Sequence, residues 1–152
     1  MANVSIDLQH PDGTTSQFND AGFNYTYSTT QILSAYNKIF GKTPKQSQHI
    51  CLLSSGYYGY RSGNDLIILD CGELSAESLP AHGHGDALAI EWTVSGKRFL
   101  IDAGVYEYNE GYHRDYSRAT SSHNTITIDN QNQSEFWKSF RVGRRANIIK
   151  SE

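Results

Sequence analysis

Cysteine, proline and methionine are scarce in this chain: two, three and one among 152 residues. Two cysteines are too few for a disulfide scaffold. Cys51 and Cys71 each sit in an apolar run without a CxxC partner, so they read as free buried thiols, with a single bridge as the alternative, and not as metal ligands. Charge of one sign is also missing, since 13 basic residues stand against 16 acidic ones. That balance lacks the strongly basic face of a nucleic-acid binder. No apolar run approaches the roughly 20 residues of a membrane helix, so no membrane insertion is expected. The start, MANVSIDLQHPDG, has neither a charged n-region nor an apolar h-region and shows no signal peptide. It reads equally well as a start inside a longer protein. No internal repeat is visible. The length suits one domain, which can bury roughly two-thirds of its unfolded surface.

Aromatic residues are plentiful, with ten tyrosines and six phenylalanines, and they favour strands over helical bundles. Residues 1–27 are rich in Asn, Asp, Gly, Ser and Thr and read as a linker or surface segment. Residues 28–40, STTQILSAYNKIF, place Ile32, Leu33, Tyr36, Ile39 and Phe40 at helical spacing. Ser28 or Thr29 suits the N-cap and Gly41 the C-cap. From residue 49 the period becomes strand-like. HICLLSS, YYGYRS and LIILDCG are short runs split by turn signals. DALAIEWTV and KRFLIDAG form the clearest hairpin about Ser95-Gly96, with Leu88, Ile90, Trp92 and Val94 expected on the core face. HNTITID reads as a further strand, and RANIIK as the start of another. The expected organisation is a linker and short helix over residues 1–45, then a mainly β domain over 46–152. The last candidate strand runs into the C-terminus, which suggests a sheet that continues beyond it.

The densest chemistry is His82-Gly83-His84-Gly85-Asp86. Two histidines at i and i+2 share a side of an extended backbone, and the glycines leave room for a ligand or another backbone. The hairpin register brings Asp102 near the end where His84 emerges, and His123 opens the HNTITID run on its polar face. His84, Asp102 and His123 together give two imidazoles and a carboxylate, a set suited to zinc with one position open. Taken singly, Asp102 also suits a turn carboxylate before Gly104, and each histidine a plain polar contact. His10, His49 and His113 read as surface or structural. Lys138, Arg141, Arg144 and Arg145 form a basic cluster that suits an anionic glycan or a solvated face. Trp137 with Phe136 is a candidate sugar platform.

LPAHGHGDAL, FLIDAGVY, HNT and FRVGRRA stand in this order in the sequence, and the order resembles that of the heparinase II/III-like family of polysaccharide lyases. The resemblance covers roughly residues 28–147. It implies the C-terminal antiparallel β-sandwich portion of a lyase, here a fragment with a short N-terminal helix, and a missing N-terminal α/α toroid. It implies zinc held by residues matching His84, Asp102 and His123. His82 matches a residue that faces the cleft and handles the uronate. Tyr108 becomes a candidate for proton transfer, and Tyr106, Arg114 and Arg118 for sugar contact. The implied reaction is β-elimination on an acidic polysaccharide, with this chain inactive without the toroid. The alternative is a non-catalytic carbohydrate-binding or polysaccharide-biosynthesis protein with the same fold. A zinc-stabilised structural domain without a glycan role is a further alternative. Relatives of this kind are mostly periplasmic or secreted.

Overall fold

A computed structural model describes residues 2–23 and 25–149. Its centre is an antiparallel sheet of five strands in sequence order: β1 His49–Leu52, β2 Tyr57–Ser62, β3 Asp65–Asp70, β4 Ile90–Val94 and β5 Lys97–Leu100. Phe136–Trp137 (β6) and Arg141–Val142 (β7) make a second, two-stranded sheet. Three α-helices, α1 Ala2–Asp7, α2 Thr29–Phe40 and α3 Tyr112–Arg118, and two short 3-10 turns, Pro80–His82 and Thr120–Ser122, complete the elements among the described residues. The protein is mainly β, as the sequence predicts. No helix among the described residues is long and apolar enough to cross a membrane.

Helix α2 forms where the spacing places it. The Ser28 hydroxyl accepts from the Gln31 amide while the Gln31 side chain accepts from the Ser28 amide, a reciprocal cap. Gly41 ends the helix at φ 65°, a conformation that a Cβ would strain. The HNTITID run, by contrast, is not a strand; only an isolated bridge between Ile128 and Gln131 forms there. The 144–149 stretch also carries no strand, and Lys150 lies outside the described residues.

The hairpin turns at Ser95-Gly96 with Val94 opposite Lys97, as expected. A bulge between Trp92 and Thr93 then shifts the register, so Trp92 faces Leu100. The buried face is the opposite of the one the hydrophobic alternation predicts. Ala89, Glu91 and Thr93 point inward, while Leu88, Trp92 and Val94 are exposed. The inward row continues across the sheet through Ile68, Gly59 and Ile50.

What covers this inner face is the segment read as a linker. Phe18 packs with Ile50, Leu66, Ile68 and Ala89, with Leu8 alongside. Arg61 donates to the backbone carbonyls of Asp7 and Gln9. The 2–23 segment therefore contributes to the core, through Ile6 and Phe18 above all. A segment poor in apolar residues can do this because its polar groups find buried partners. His10 donates from Nε2 to Glu91 at 2.9 Å and is hydrogen-bonded through Nδ1 to the Thr93 hydroxyl at 2.7 Å. Both cysteines are free, as expected, but not buried: Cys51 is exposed on the outer face of β1 and Cys71 is half-buried.

Candidate functional site

The HGHGD segment leaves a short 3-10 turn, Pro80–His82, and runs toward β4. Its glycines serve close approach of protein to protein. A Cβ at Gly83 would strike the Leu74 carbonyl, and one at Gly85 the Thr120 hydroxyl. Gly104, at φ 61°, lies against the Ala21 carbonyl, which accepts from the Val105 amide at 2.9 Å. The two motifs that carry the histidines and Asp102 are thus clamped onto residues 19–21.

That clamp delivers Asn19 and Asp20, which sequence reasoning missed. The Asp20 carboxylate accepts from His82 Nδ1 at 2.7 Å, from His84 Nε2 at 2.7 Å and from both terminal nitrogens of Arg114. Burial works against its charge, but hydrogen bonds from His84, Arg114 and His82 prevail and hold the carboxyl at about 2. Asn19, in the left-handed region at φ 55°, accepts from the His84 amide through its side chain and donates its own amide to Asp86. No local pattern signals Asp20, because its partners lie 62 to 94 residues away. Asn19 offers a weak signal, as Asn tolerates positive φ.

His84 is buried, and burial lowers its affinity for a proton against the pull of Asp20. With Nε2–H given to Asp20, its Nδ1 lone pair has no partner. His123 gives Nδ1–H to Asp102 at 2.7 Å, and its Nε2 is also without a partner. Burial alone would drive a proton off His123, but the Asp102 hydrogen bond and charge outweigh it and raise its pKa. Ligating atoms of His84, His123 and Asp86 lie within 4.8 Å of one another. Burial raises the pKa of Asp86, and the neighbouring His123 and His84 work against that shift. A void of about 10 Å³ borders His84, Asp86 and Asp70. Burial, followed by the Asp86 charge, also pushes Asp70 up to about 7. The structure brings the two expected histidines together. It groups Asp86, a residue of the HGHGD motif, with them as a third group able to hold a metal. Asp102 sits behind His123, its second oxygen accepting from the Gly104 amide.

Asp102 is itself held from below. Its amide donates to Glu91 at 3.1 Å, and the same Glu91 oxygen accepts from the Gln17 amide at 3.0 Å and pairs with Arg98 at 2.9 Å. Glu91 is fully buried. One carboxylate at the centre of β4 therefore ties down the segment carrying Asp20 and the turn carrying Asp102.

His82 is the open side of the site, with its side chain 53% exposed. Asp20 holds Nδ1, which leaves Nε2 toward solvent. The Tyr108 ring stands edge-on at 6.0 Å, and Phe140 lies 6.3 Å away. Tyr108 stacks on Phe140 at 5.9 Å. Burial, then the Asp20 charge, raises the Tyr108 pKa. Tyr106 is 70% exposed and rests on His113 at 4.8 Å. Two expectations need correction. Arg114 and Arg118, expected at the sugar, are turned inward. Arg114 is wholly buried, holding Asp20 and the carbonyls of Ala81 and Ser139. Arg118 lies over the Phe136 ring at 4.6 Å and donates to the carbonyls of Gly83, Lys138, Ser139 and Arg141. Carbonyls with no strand partner need donors, and a guanidinium supplies five. In the basic cluster, Lys138 pairs with Glu110 and Arg144 with Glu135, so part of its charge is cancelled locally.

Residues 44–152 match the family described as Heparinase II/III-like, C-terminal. A heparin-sulfate lyase of Pedobacter heparinus is 27% identical over 150 residues, covering 87% of this chain and 22% of its own length. Among solved structures, a heparan sulfate lyase mutant from Pedobacter heparinus superposes with a TM-score of 0.64 at 25% identity, over 89% of this chain and 25% of that one. A heparinase III structure gives 0.70 at 20% identity, over 99% and 28%, a likeness of fold. The chain spans about a quarter of the length of these relatives. The match runs through the HGHGD turn, Asp102 and His123, and the chain belongs to the Heparinase II/III-like, C-terminal family.

Proposed function

We propose that this chain is the β portion of a polysaccharide lyase that cleaves uronate-containing glycans by β-elimination. In that reaction a base removes the C5 proton of the uronate, the C4–O4 bond breaks, and the departing O4 gains a proton. The C5 proton is weakly acidic, so charge stabilisation at the uronate carboxylate carries much of the barrier reduction. The observation that supports this reading is the arrangement at His82. One ring nitrogen is fixed by the buried Asp20–Arg114 pair, the other faces solvent, and a tyrosine stands beside it. His82 would meet the uronate carboxylate through Nε2 and orient it. Tyr108 would assist proton transfer at the sugar, and Tyr106 would contact a neighbouring unit. Arg114 and Arg118 act at one remove, by holding Asp20 and the loop carbonyls. The names of the relatives, heparin-sulfate and heparan sulfate lyases, point to an acidic polysaccharide. The remaining catalytic groups are proposed to lie in the part of those relatives that this chain does not match, which makes the isolated chain inactive.

The two unpartnered, buried imidazole nitrogens fit a zinc ion, since buried polar atoms without partners are rare. His84 and His123 would hold it with a carboxylate. Asp86 groups with both histidines, and Asp102 either ligates or orients His123 through its hydrogen bond to Nδ1. Bound there, zinc would supply positive charge and fix the HGHGD loop beneath His82. Metal analysis after zinc loading checks this: the chain should retain one zinc, and His84→Ala and His123→Ala should lose it. Absence of zinc from the unaltered chain would overturn the metal reading. For the lyase reading, a protein joining this chain to the rest of a family-length lyase should generate unsaturated uronate, read by ultraviolet absorbance, on heparan sulfate. His82→Ala should abolish most of that signal. No product from a panel of uronate polymers would favour a carbohydrate-binding role without catalysis.

A further inference from the structure

The outer face of the five-stranded sheet is apolar and exposed, and the candidate site uses none of it. Ile67, Trp92, Val94, Phe99 and Ile101 all stand open to solvent, Phe99 at 66%. Trp92 and Phe99 meet edge to face at 5.4 Å and form one ridge across β4 and β5. Strand register orders the rest. Leu66 pairs with Thr93 and Val94 with Lys97, so Asp65, Val94 and Lys97 lie in one row across β3, β4 and β5. The next outward-facing row pairs Ile67 with Trp92. One row is thus apolar at its centre and oppositely charged at its two ends, and the row beside it is apolar.

The size of this face suits an interface. With Asp65 and Lys97 at its rim, its exposed side chains come to on the order of 700 Å². The largest apolar patch on a typical monomer is about 300–600 Å², whereas a standard interface takes about 800 Å² from each partner. The pattern also complements itself. A two-fold axis along β4 lays β3 of one copy over β5 of the other, because those strands flank β4. Trp92 then meets its own counterpart, Ile67 meets Phe99, and Asp65 meets Lys97 once on each side of the axis. Sheets stacked about 10 Å apart and crossed by roughly 30° keep long side chains within reach of one another. An axis along β3 would set Asp65 against its own counterpart, and an axis along β5 would do the same to Lys97. Like charges opposed across an interface exclude those registers.

We propose that this chain pairs with a second copy of itself through the outer face of its sheet, in an isologous dimer whose two-fold axis runs along β4. The Trp92–Phe99 ridge supplies the apolar centre, and the two Asp65–Lys97 pairs fix the register. The dimer draws on no residue of the His82 site, so it stands or falls apart from the lyase reading.

Sedimentation velocity over a dilution series of this chain tests the proposal. The chain should pass from dimer to monomer on dilution. Phe99→Glu, at an exposed position, buries two unpaired charges per dimer and should weaken association by on the order of 100-fold. Lys97→Glu sets two acids against each other on each side of the axis and should weaken it by on the order of tenfold. Asp65→Lys should do likewise by opposing two cations. Mixed together, the Lys97→Glu and Asp65→Lys chains should form a dimer that neither forms alone, since every facing pair then carries opposite charges. Asp65 also accepts from the Ser95 amide. If its replacement loosens that turn, the Phe99→Glu and Lys97→Glu measurements still decide, with circular dichroism showing that those two variants are folded. A chain that stays monomeric at every concentration would overturn the dimer and leave the face to another protein or to a further part of a longer chain. A dimer indifferent to Phe99→Glu and Lys97→Glu would overturn it as well, by showing that the copies meet elsewhere.

Discussion

A single carboxylate at residue 20 organises the candidate site. Asp20 accepts from two histidines and a fully buried arginine, and of these the buried His84 and Arg114 cannot turn to water for a substitute. Breaking a buried pair by removing one partner costs about 3–5 kcal/mol, because the other charge is stranded. Asp20→Ala should therefore destabilise the chain by about that amount in urea unfolding. Replacing Arg114 by methionine as well should recover part of the loss, since no lone charge then remains. Strict additivity in that cycle would mean that Asp20 and Arg114 act independently. The histidines and Asp102 were legible in the sequence because their motifs are short and their residue types speak for themselves. Asp20 was not, because nothing adjacent marks it. Arg114 and Arg118 were misread for a related reason: an arginine in a polar stretch looks solvent-facing until the carbonyls it must satisfy are known.

At the scale of elements, β4 shows where reading by periodicity fails. Alternation identified the strand and its turn but assigned the wrong face to the core. The rule equates buried with apolar, whereas here the inward row is Ala89, Glu91 and Thr93. A glutamate can occupy that row because His10, Arg98 and the amides of Gln17 and Asp102 all converge on it. Helix α2 was read correctly because its caps are local, needing only Ser28, Gln31 and Gly41. The buried network makes Glu91 a positioning residue for the site above it. Glu91→Gln keeps the shape of the side chain but sets an NH2 group against donors. Hydrogen exchange at the Asp102 amide should accelerate, while amides of the β1–β2 pair stay protected. The affinity of the proposed zinc site should fall as well, by at most the roughly 10–100-fold that loss of a ligand's supporting partner costs. Unchanged exchange at Asp102 would show that Glu91 braces the strand alone.

At the scale of the whole molecule, the segment outside the family match is what closes the core. The family match begins at residue 44, yet Phe18 caps Ile50, Leu66, Ile68 and Ala89, and His10 satisfies Glu91. The Asp7 carboxylate accepts from the Ser47 amide and hydroxyl, so the first helix is tied to the lead-in of β1. Stripping residues 1–23 would expose the inner face of the sheet, leave Glu91 without His10 and the Gln17 amide, and leave Arg114 without Asp20. Each of the latter two losses is worth several kcal/mol, against a total stability of about 5–15 kcal/mol for a domain. A chain starting at residue 24 should therefore lose cooperative thermal unfolding and near-ultraviolet circular dichroism, and expose apolar surface to a hydrophobic dye. The intact chain, measured alongside, should unfold in a single transition. A sharp transition in the shortened chain would show that the sheet supports itself and that residues 1–23 serve the site alone. The expected failure would show that one segment closes the core and supplies Asp20, so that the site forms only when the fold is complete.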